Sequence, residues 1–104
     1  MLKVYGSEMC PDCINCKKNF DNNGIEYVNI DINKNLQDLK DFLKMRDSNP
    51  IFDRLKAIGD IGIPAIVMED GTVFTDWEGF LSERNLPITY ENVGKSCSLD
   101  GKGC

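Results

Sequence analysis

Apolar residues recur along this chain with two periods, and the changes of period divide it into elements. Leu2 to Tyr5 alternates apolar and polar positions as a short half-buried strand does, and Gly6-Ser7 ends it. Ile25 to Ile32 alternates again, most clearly at Ile30, Asp31 and Ile32, and predicts a second strand. Between them, Ile14, Lys17-Lys18 and Phe20 fit a helix that starts at Pro11 and ends at Asn23-Gly24. Strand, helix, strand predicts a parallel pair joined by a crossover.

Leu36, Leu39, Phe42 and Leu43 recur at helical spacing and predict a helix over about 34–47. Asn49-Pro50 interrupts it, and Pro50 suits the first turn of a second piece on which Ile51, Phe52, Leu55 and Ile58 form a stripe before Gly59. The two pieces fit one bent element. Ala65 to Glu69 predicts a third strand, Asp70-Gly71 a tight hairpin, and Thr72 to Phe74 the returning strand. A last helix begins near Asp76 or Trp77 and carries Trp77, Phe80 and Leu81. Trp77, Phe74, Phe80 and Tyr27 read as packing residues. The acidic run between residues 38 and 54 alternates with Lys and Arg, as a solvated helix face does.

After Pro87 the periodicity stops. Asn92, Gly94, Ser96, Ser98, Asp100, Gly101 and Gly103 make a polar, glycine-rich stretch that contains Cys97 and Cys104. The expected organisation is one domain over 1–88 and a tail over 89–104, with no internal repeat. A chain of 104 residues, 41% hydrophobic and 28% charged, suits that single globular unit.

Charge narrows the function classes. The net charge is −5, with Lys and Arg scattered among acids, so no basic stripe offers itself to nucleic acid. The best apolar run, Ile61 to Met68, is short and interrupted by Gly62 and Pro64, which predicts no membrane span. Residues 1–20 lack a basic start followed by an apolar stretch, so a cytoplasmic protein is expected. There a disulfide framework is disfavoured, and the five cysteines, an odd number, point to catalysis or metal binding. The chain has no histidine, which removes Cys-His nucleophile pairs and mixed Cys-His zinc sites.

Cys10, Cys13 and Cys16 stand at every third position from the first strand-to-helix junction. The element order β-α-β-α-β-β-α, with Cys10-Pro11-Asp12-Cys13 at that junction and Ile63-Pro64 just before the third strand, resembles the glutaredoxin branch of the thioredoxin-like superfamily. The resemblance covers residues 2 to about 85. It implies an α/β fold with a four-stranded mixed sheet flanked by about three helices. It also implies a small monomeric thiol–disulfide oxidoreductase without a bound cofactor, acting on a protein or low-molecular-weight disulfide and recharged by a thiol reductant. A helix start stabilises a thiolate, so Cys10 is the expected nucleophile, and Cys13, one turn on, the expected resolver. Pro11, Ile63, Pro64 and Asp76 are the candidate substrate-binding residues: Pro11 stiffens the first turn, and Pro64 matches the family's cis-proline, whose preceding residue offers backbone groups to the substrate.

Three features depart from the family pattern. Asp12 replaces an uncharged residue; it opposes a Cys10 thiolate or simply meets a first-turn preference for acids. Glu8 stands where a basic residue is usual and repels the anionic tripeptide glutathione. Phe74-Thr75-Asp76-Trp77 replaces a Gly-Gly-Asp-like turn, although Asp76 can cap the last helix, whose start could take a carboxylate. Glutathione is therefore one possible cosubstrate among several. Cys16 is expected to be a core thiol. Its alternative, a four-thiolate metal site with Cys10, Cys13 and a tail cysteine, is opposed by the two helical turns separating Cys10 from Cys16. Cys97 and Cys104 could pair locally, resolve the Cys10–Cys13 bond, hold a metal, or have no assigned role. A thiolate metal or iron–sulfur carrier and a redox-sensing switch are the alternative functions.

Overall fold

The strands alternate as the sequence pattern requires, and the alternation sorts their side chains onto two faces of one sheet. In the computed structural model, which describes residues 1–90, the elements are β1 (Leu2–Gly6), α1 (Pro11–Asn22), β2 (Tyr27–Asp31), α2 (Leu36–Ser48), a 3-10 turn (Pro50–Phe52), α3 (Asp53–Ala57), β3 (Ala65–Val67), β4 (Val73–Phe74) and α4 (Trp77–Glu83). Cys97, Cys104 and most of the expected tail lie outside the described residues. The sheet order is β2-β1-β3-β4. β1 and β2 are parallel, whereas β1 with β3 and β3 with β4 are antiparallel, so the sheet is mixed. No helix among the described residues is long and apolar enough to cross a membrane.

Register explains the two-sided core. Val4 pairs with Ile66, which pairs with Phe74, and all three join Cys16, Phe20, Trp77 and Leu81 in a cluster built with α1 and α4. Tyr5 pairs with Ala65, and these join Phe42, Phe52 and Ile63 in a second cluster built with the α2 and α3 region. Burying a large side chain such as Phe20 or Phe42 stabilises the fold by about 1.5–3 kcal/mol.

The helical stretch after β2 is two pieces rather than one bent helix. Asn49 leaves helical geometry (φ −112°, ψ 120°), as a residue before proline tends to. Its side chain then accepts from the Ile51 backbone N–H at 3.1 Å and starts the next turn. Among the described residues four helices flank the four-stranded mixed sheet, in keeping with the expected arrangement of about three.

The segment after α4 is tied down by polar residues. Asn19 on α1 is 1% exposed, and its side chain exchanges two hydrogen bonds with the Thr89 backbone: Nδ2 donates to the carbonyl at 2.7 Å, and Oδ1 accepts from the N–H at 2.8 Å. Nδ2 of Asn23, one turn later, donates to the Pro87 carbonyl at 3.1 Å. Leu86 and Ile88 pack on the α1–α4 cluster. Tyr90 follows with its ring 6.1 Å from that of Trp77 and its hydroxyl donating to Glu78. An amide side chain imitates a strand edge here, so a segment without hydrophobic periodicity still docks.

Candidate active site

The end of β1 and the start of α1 place the dithiol. The Ile32 N–H donates to the Gly6 carbonyl at 3.0 Å, which fixes the strand end against the residue after β2. Ser7 then turns the chain: its carbonyl accepts from the Cys10 N–H at 3.2 Å and its hydroxyl from the Met9 N–H at 3.1 Å. Cys10 is the N-cap residue of α1, with Pro11 in the first turn, so its sulfur meets backbone donors that the helix leaves free. The Cys13 N–H donates to Cys10 Sγ at 3.4 Å.

The two thiols move apart in acidity. Cys10 is held below its ordinary pKa, chiefly by the hydrogen bond its sulfur receives from the Cys13 thiol. The backbone N–H groups of Cys13 and Asp12 act in the same direction, against burial and the Asp12 charge. Cys13 is pushed well above the ordinary range because its proton is given to that hydrogen bond, with burial and the Cys10 charge adding to it. The hydrogen bond therefore favours loss of the Cys10 proton before that of Cys13. Asp12 thus acts in the direction expected from sequence, but as the least of these causes.

Burial does not distinguish the cysteines: Cys10 is 1% exposed, and Cys13 and Cys16 are 0% exposed. Surroundings do. Cys10 and Cys13 sit with Ile63 in one cluster, while Cys16 faces Val4, Phe20 and Trp77 in the other. Cys16 has its thiol raised chiefly by burial, as a core residue does. The three sulfurs are divided between the clusters, and among the described residues no group of three or more acidic or cysteine side chains is placed to hold a metal.

Gly6 is a part of the site that sequence reasoning took only as a strand end. A Cβ on it would lie 3.0 Å from Cys13 Sγ, so the missing side chain lets that sulfur settle against the sheet. Ile63 is 4% exposed and its bond to Pro64 is cis. Gly62 precedes it at φ +101°, where a Cβ would also meet Phe52 at 2.9 Å. The turn carrying Ile63-Pro64 is in this way packed against the 3-10 segment, and it joins the cluster that holds the dithiol.

The charged neighbours are already engaged. Asp12 accepts from Trp77 Nε1 at 3.1 Å, an interaction that links α1 to α4 and that no sequence spacing announces. Asp76 caps α4 through the Gly79 N–H at 2.9 Å, and the lack of a side chain on Gly79 admits its carboxylate. Its capping role is as expected; the substrate role suggested for it adds to a group with that structural task. Glu8 is bridged by Lys34 at 3.3 Å, and Lys34 also lies 4.0 Å from Asp31. The exposed Lys34–Glu8 pair softens the negative charge near Cys10 without reversing it.

A model of the glutaredoxin family matches residues 2–71. The chain belongs to the glutaredoxin family. It is 37% identical over 73 residues to an uncharacterised protein of Haemophilus influenzae, spanning 70% of this chain and 85% of that one. The crystal structure of a thioredoxin-like protein superimposes with a TM-score of 0.57 at 21% identity, covering 81% of this chain and 96% of the other, so the fold is thioredoxin-like. A glutathione S-transferase from Xanthobacter autotrophicus Py2 gives a TM-score of 0.49 at 19% identity over 80% of this chain and 36% of its own length. The family match covers the dithiol, Pro11 and Ile63-Pro64; Asp76 lies beyond it.

Proposed function

We propose that this glutaredoxin-family protein is a thiol–disulfide oxidoreductase that reduces protein or low-molecular-weight disulfides by dithiol exchange. The observation that carries the reading is the Cys10–Cys13 pair at the start of α1, one sulfur favoured as thiolate and the other holding its proton in the bond between them. Cys10 thiolate attacks one sulfur of the substrate disulfide, forming a mixed disulfide and expelling the other sulfur as a thiolate that takes a proton. Cys13 then loses its proton and attacks Cys10 Sγ, releasing the second substrate thiol. Two electrons pass to the substrate, and Cys10–Cys13 is left as a disulfide for an external thiol reductant to open.

Pro11 holds the first turn rigid, and Ile63 and Pro64 line the substrate's approach from the turn packed beside the dithiol. Asp76 contributes by fixing the start of α4. Glu8 and Asp12 disfavour an anionic small thiol, which makes a protein disulfide the better substrate and leaves glutathione as one candidate reductant. The protein works as a cytoplasmic monomer without a bound cofactor, nucleic acid or membrane.

A reductase assay on the full chain, with glutathione and with a thioredoxin-type reductase as alternative electron sources, tests this. Cys10→Ser is expected to abolish reduction of a generic disulfide. Retained activity in that variant would overturn the reading. Stoichiometric thiolate-bound metal after anaerobic purification would replace it with a carrier, and a redox-dependent partner without turnover with a switch.

A further inference from the structure

Asp12 stands where an acid can oppose the nucleophile in two ways. It is the second residue of α1, so its carboxylate lies within the turn whose backbone N–H groups attract acidic side chains. Two of those N–H groups, its own and that of Cys13, are the backbone donors to Cys10 Sγ. A carboxylate turned toward them would compete for the same donors and set a negative charge beside the sulfur. An aspartate side chain has several staggered orientations to choose from. Here α4 selects one of them. The Asp76 carboxylate accepts from the Gly79 N–H at 2.9 Å and fixes the first turn of α4, and Trp77 opens that helix. The indole is clamped by packing: Trp77 is 1% exposed, shares a cluster with Val4, Cys16, Phe20 and Leu81, and has the Tyr90 ring 6.1 Å away. Its N–H leaves that packing at Asp12 Oδ1, 3.1 Å away.

We infer that Trp77 is a positioning residue for the nucleophile: its indole N–H turns the Asp12 carboxylate toward α4 and away from the backbone donors that hold Cys10 Sγ. This rests on Cys10 as the attacking thiol of the proposed exchange, and it assigns how that thiol keeps its donors next to an acid. The charged and titratable groups around the link come from several elements. On α1 they are Cys13, Cys16 and Lys17; α4 brings Asp76 and Glu78, and Tyr90 follows from the docked segment. The loop before Cys10 adds Glu8, bridged by Lys34, and the α2 and β3 side packs apolar residues and the Tyr5 ring against the cluster that holds Cys10. Glu78 accepts from the Tyr90 hydroxyl. Asp12 is the carboxylate whose charge acts most strongly on Cys10. An indole N–H carries no charge and does not titrate, so its hold on Asp12 persists at every pH where Cys10 ionises.

Alkylation of Cys10 by iodoacetamide across pH reads the effect without turnover. The reduced full chain is alkylated for short times, and the tryptic peptide from Val4 to Lys17 is fragmented to separate Cys10 from Cys13 and Cys16. In Trp77→Phe the Cys10 profile should move to higher pH, with the rate below its plateau falling severalfold. In Asp12→Asn, adding Trp77→Phe should leave the profile where it is, because the carboxylate that the indole restrains is gone. Trp77 is the single tryptophan of the chain, so biosynthetic replacement by benzothienylalanine, with sulfur in place of the ring N–H, removes the donor and keeps the bulk. That protein should reproduce the Trp77→Phe shift, and it serves as the test even where the phenylalanine variant does not fold. No shift or a shift to lower pH in Trp77→Phe, an equal shift in the Asp12→Asn background, or an unshifted benzothienyl protein would each overturn the inference. Failure of the oxidoreductase reading has a separate signature, reductase activity that survives Cys10→Ser.

Discussion

Cys13 and Cys16 are one turn apart on the same helix and equally buried, yet they belong to different parts of the molecule. Cys13 faces the cluster of Phe42, Phe52 and Ile63, beside the turn that holds Pro64. Cys16 faces Val4, Phe20, Trp77 and Leu81, on the side where α1 and α4 cover the sheet. Both thiols are raised in pKa, but Cys16 by burial above all and Cys13 by a proton shared with a neighbouring sulfur. Burial does not separate the two cysteines; the sulfur hydrogen-bonded to Cys13 does.

The sharpest way to break this contrast is to remove each sulfur separately. Cys13→Ser should cost at least about 100-fold in turnover on a substrate that needs a resolving thiol, because the mixed disulfide is no longer opened internally. Cys16→Ser should keep turnover within about twofold and show instead a change in thermal stability of about 1 kcal/mol. Comparable losses in a reductase assay would merge the two roles. A second effect, on stability rather than turnover, separates the α1–α4 side further. Asn19→Ala leaves the Thr89 backbone without its partners and should lower stability by about 2–4 kcal/mol, read as a shifted urea midpoint with an unchanged slope.

Gly6→Ala tests the Cys13 side alone. Its new methyl would press on Cys13 Sγ from 3.0 Å, so disulfide reduction should fall several-fold with a stability loss of about 1 kcal/mol. An unchanged rate would mean that the sulfur has room to spare. The least effect concerns Asp12. Because the Cys10 pKa is lowered, its thiolate should form, and alkylation should level off, at a lower pH than for a free thiol. Removing the Asp12 charge favours the thiolate further, so in Asp12→Asn the alkylation profile should move to still lower pH. Movement to higher pH would show that Asp12 serves Cys10 through its bond to Trp77 rather than opposing it by charge.

Much of this molecule was legible along the chain. Alternation placed β1 and β2, a mostly apolar run with the Asp70-Gly71 turn signal placed the β3–β4 hairpin, helical spacing placed α1 and α2, and Pro50 marked the restart that became the 3-10 turn and α3. These signals are local, since each depends on which side of one element is wet. The same locality put Cys10 and Cys13 at a helix start. Asn19 was not legible, because a buried asparagine looks like a surface residue until the backbone it partners, 70 positions away, has docked. Trp77 read as packing, and packing it is; its indole N–H on Asp12 is an added task set by how α4 crosses α1.

Residue type and spacing by themselves determined the elements, their order and the dithiol at the first strand-to-helix junction, because hydrophobic period and helix-end chemistry operate over a few neighbouring residues. Only the tertiary structure decided that three evenly spaced cysteines divide two and one between two core clusters. It also decided that Gly6 makes room for one of them, and that the segment after α4 returns along α1 to the site. Those outcomes depend on groups distant in sequence meeting at van der Waals and hydrogen-bond range, where a missing methyl or an amide side chain settles what lies beside each sulfur.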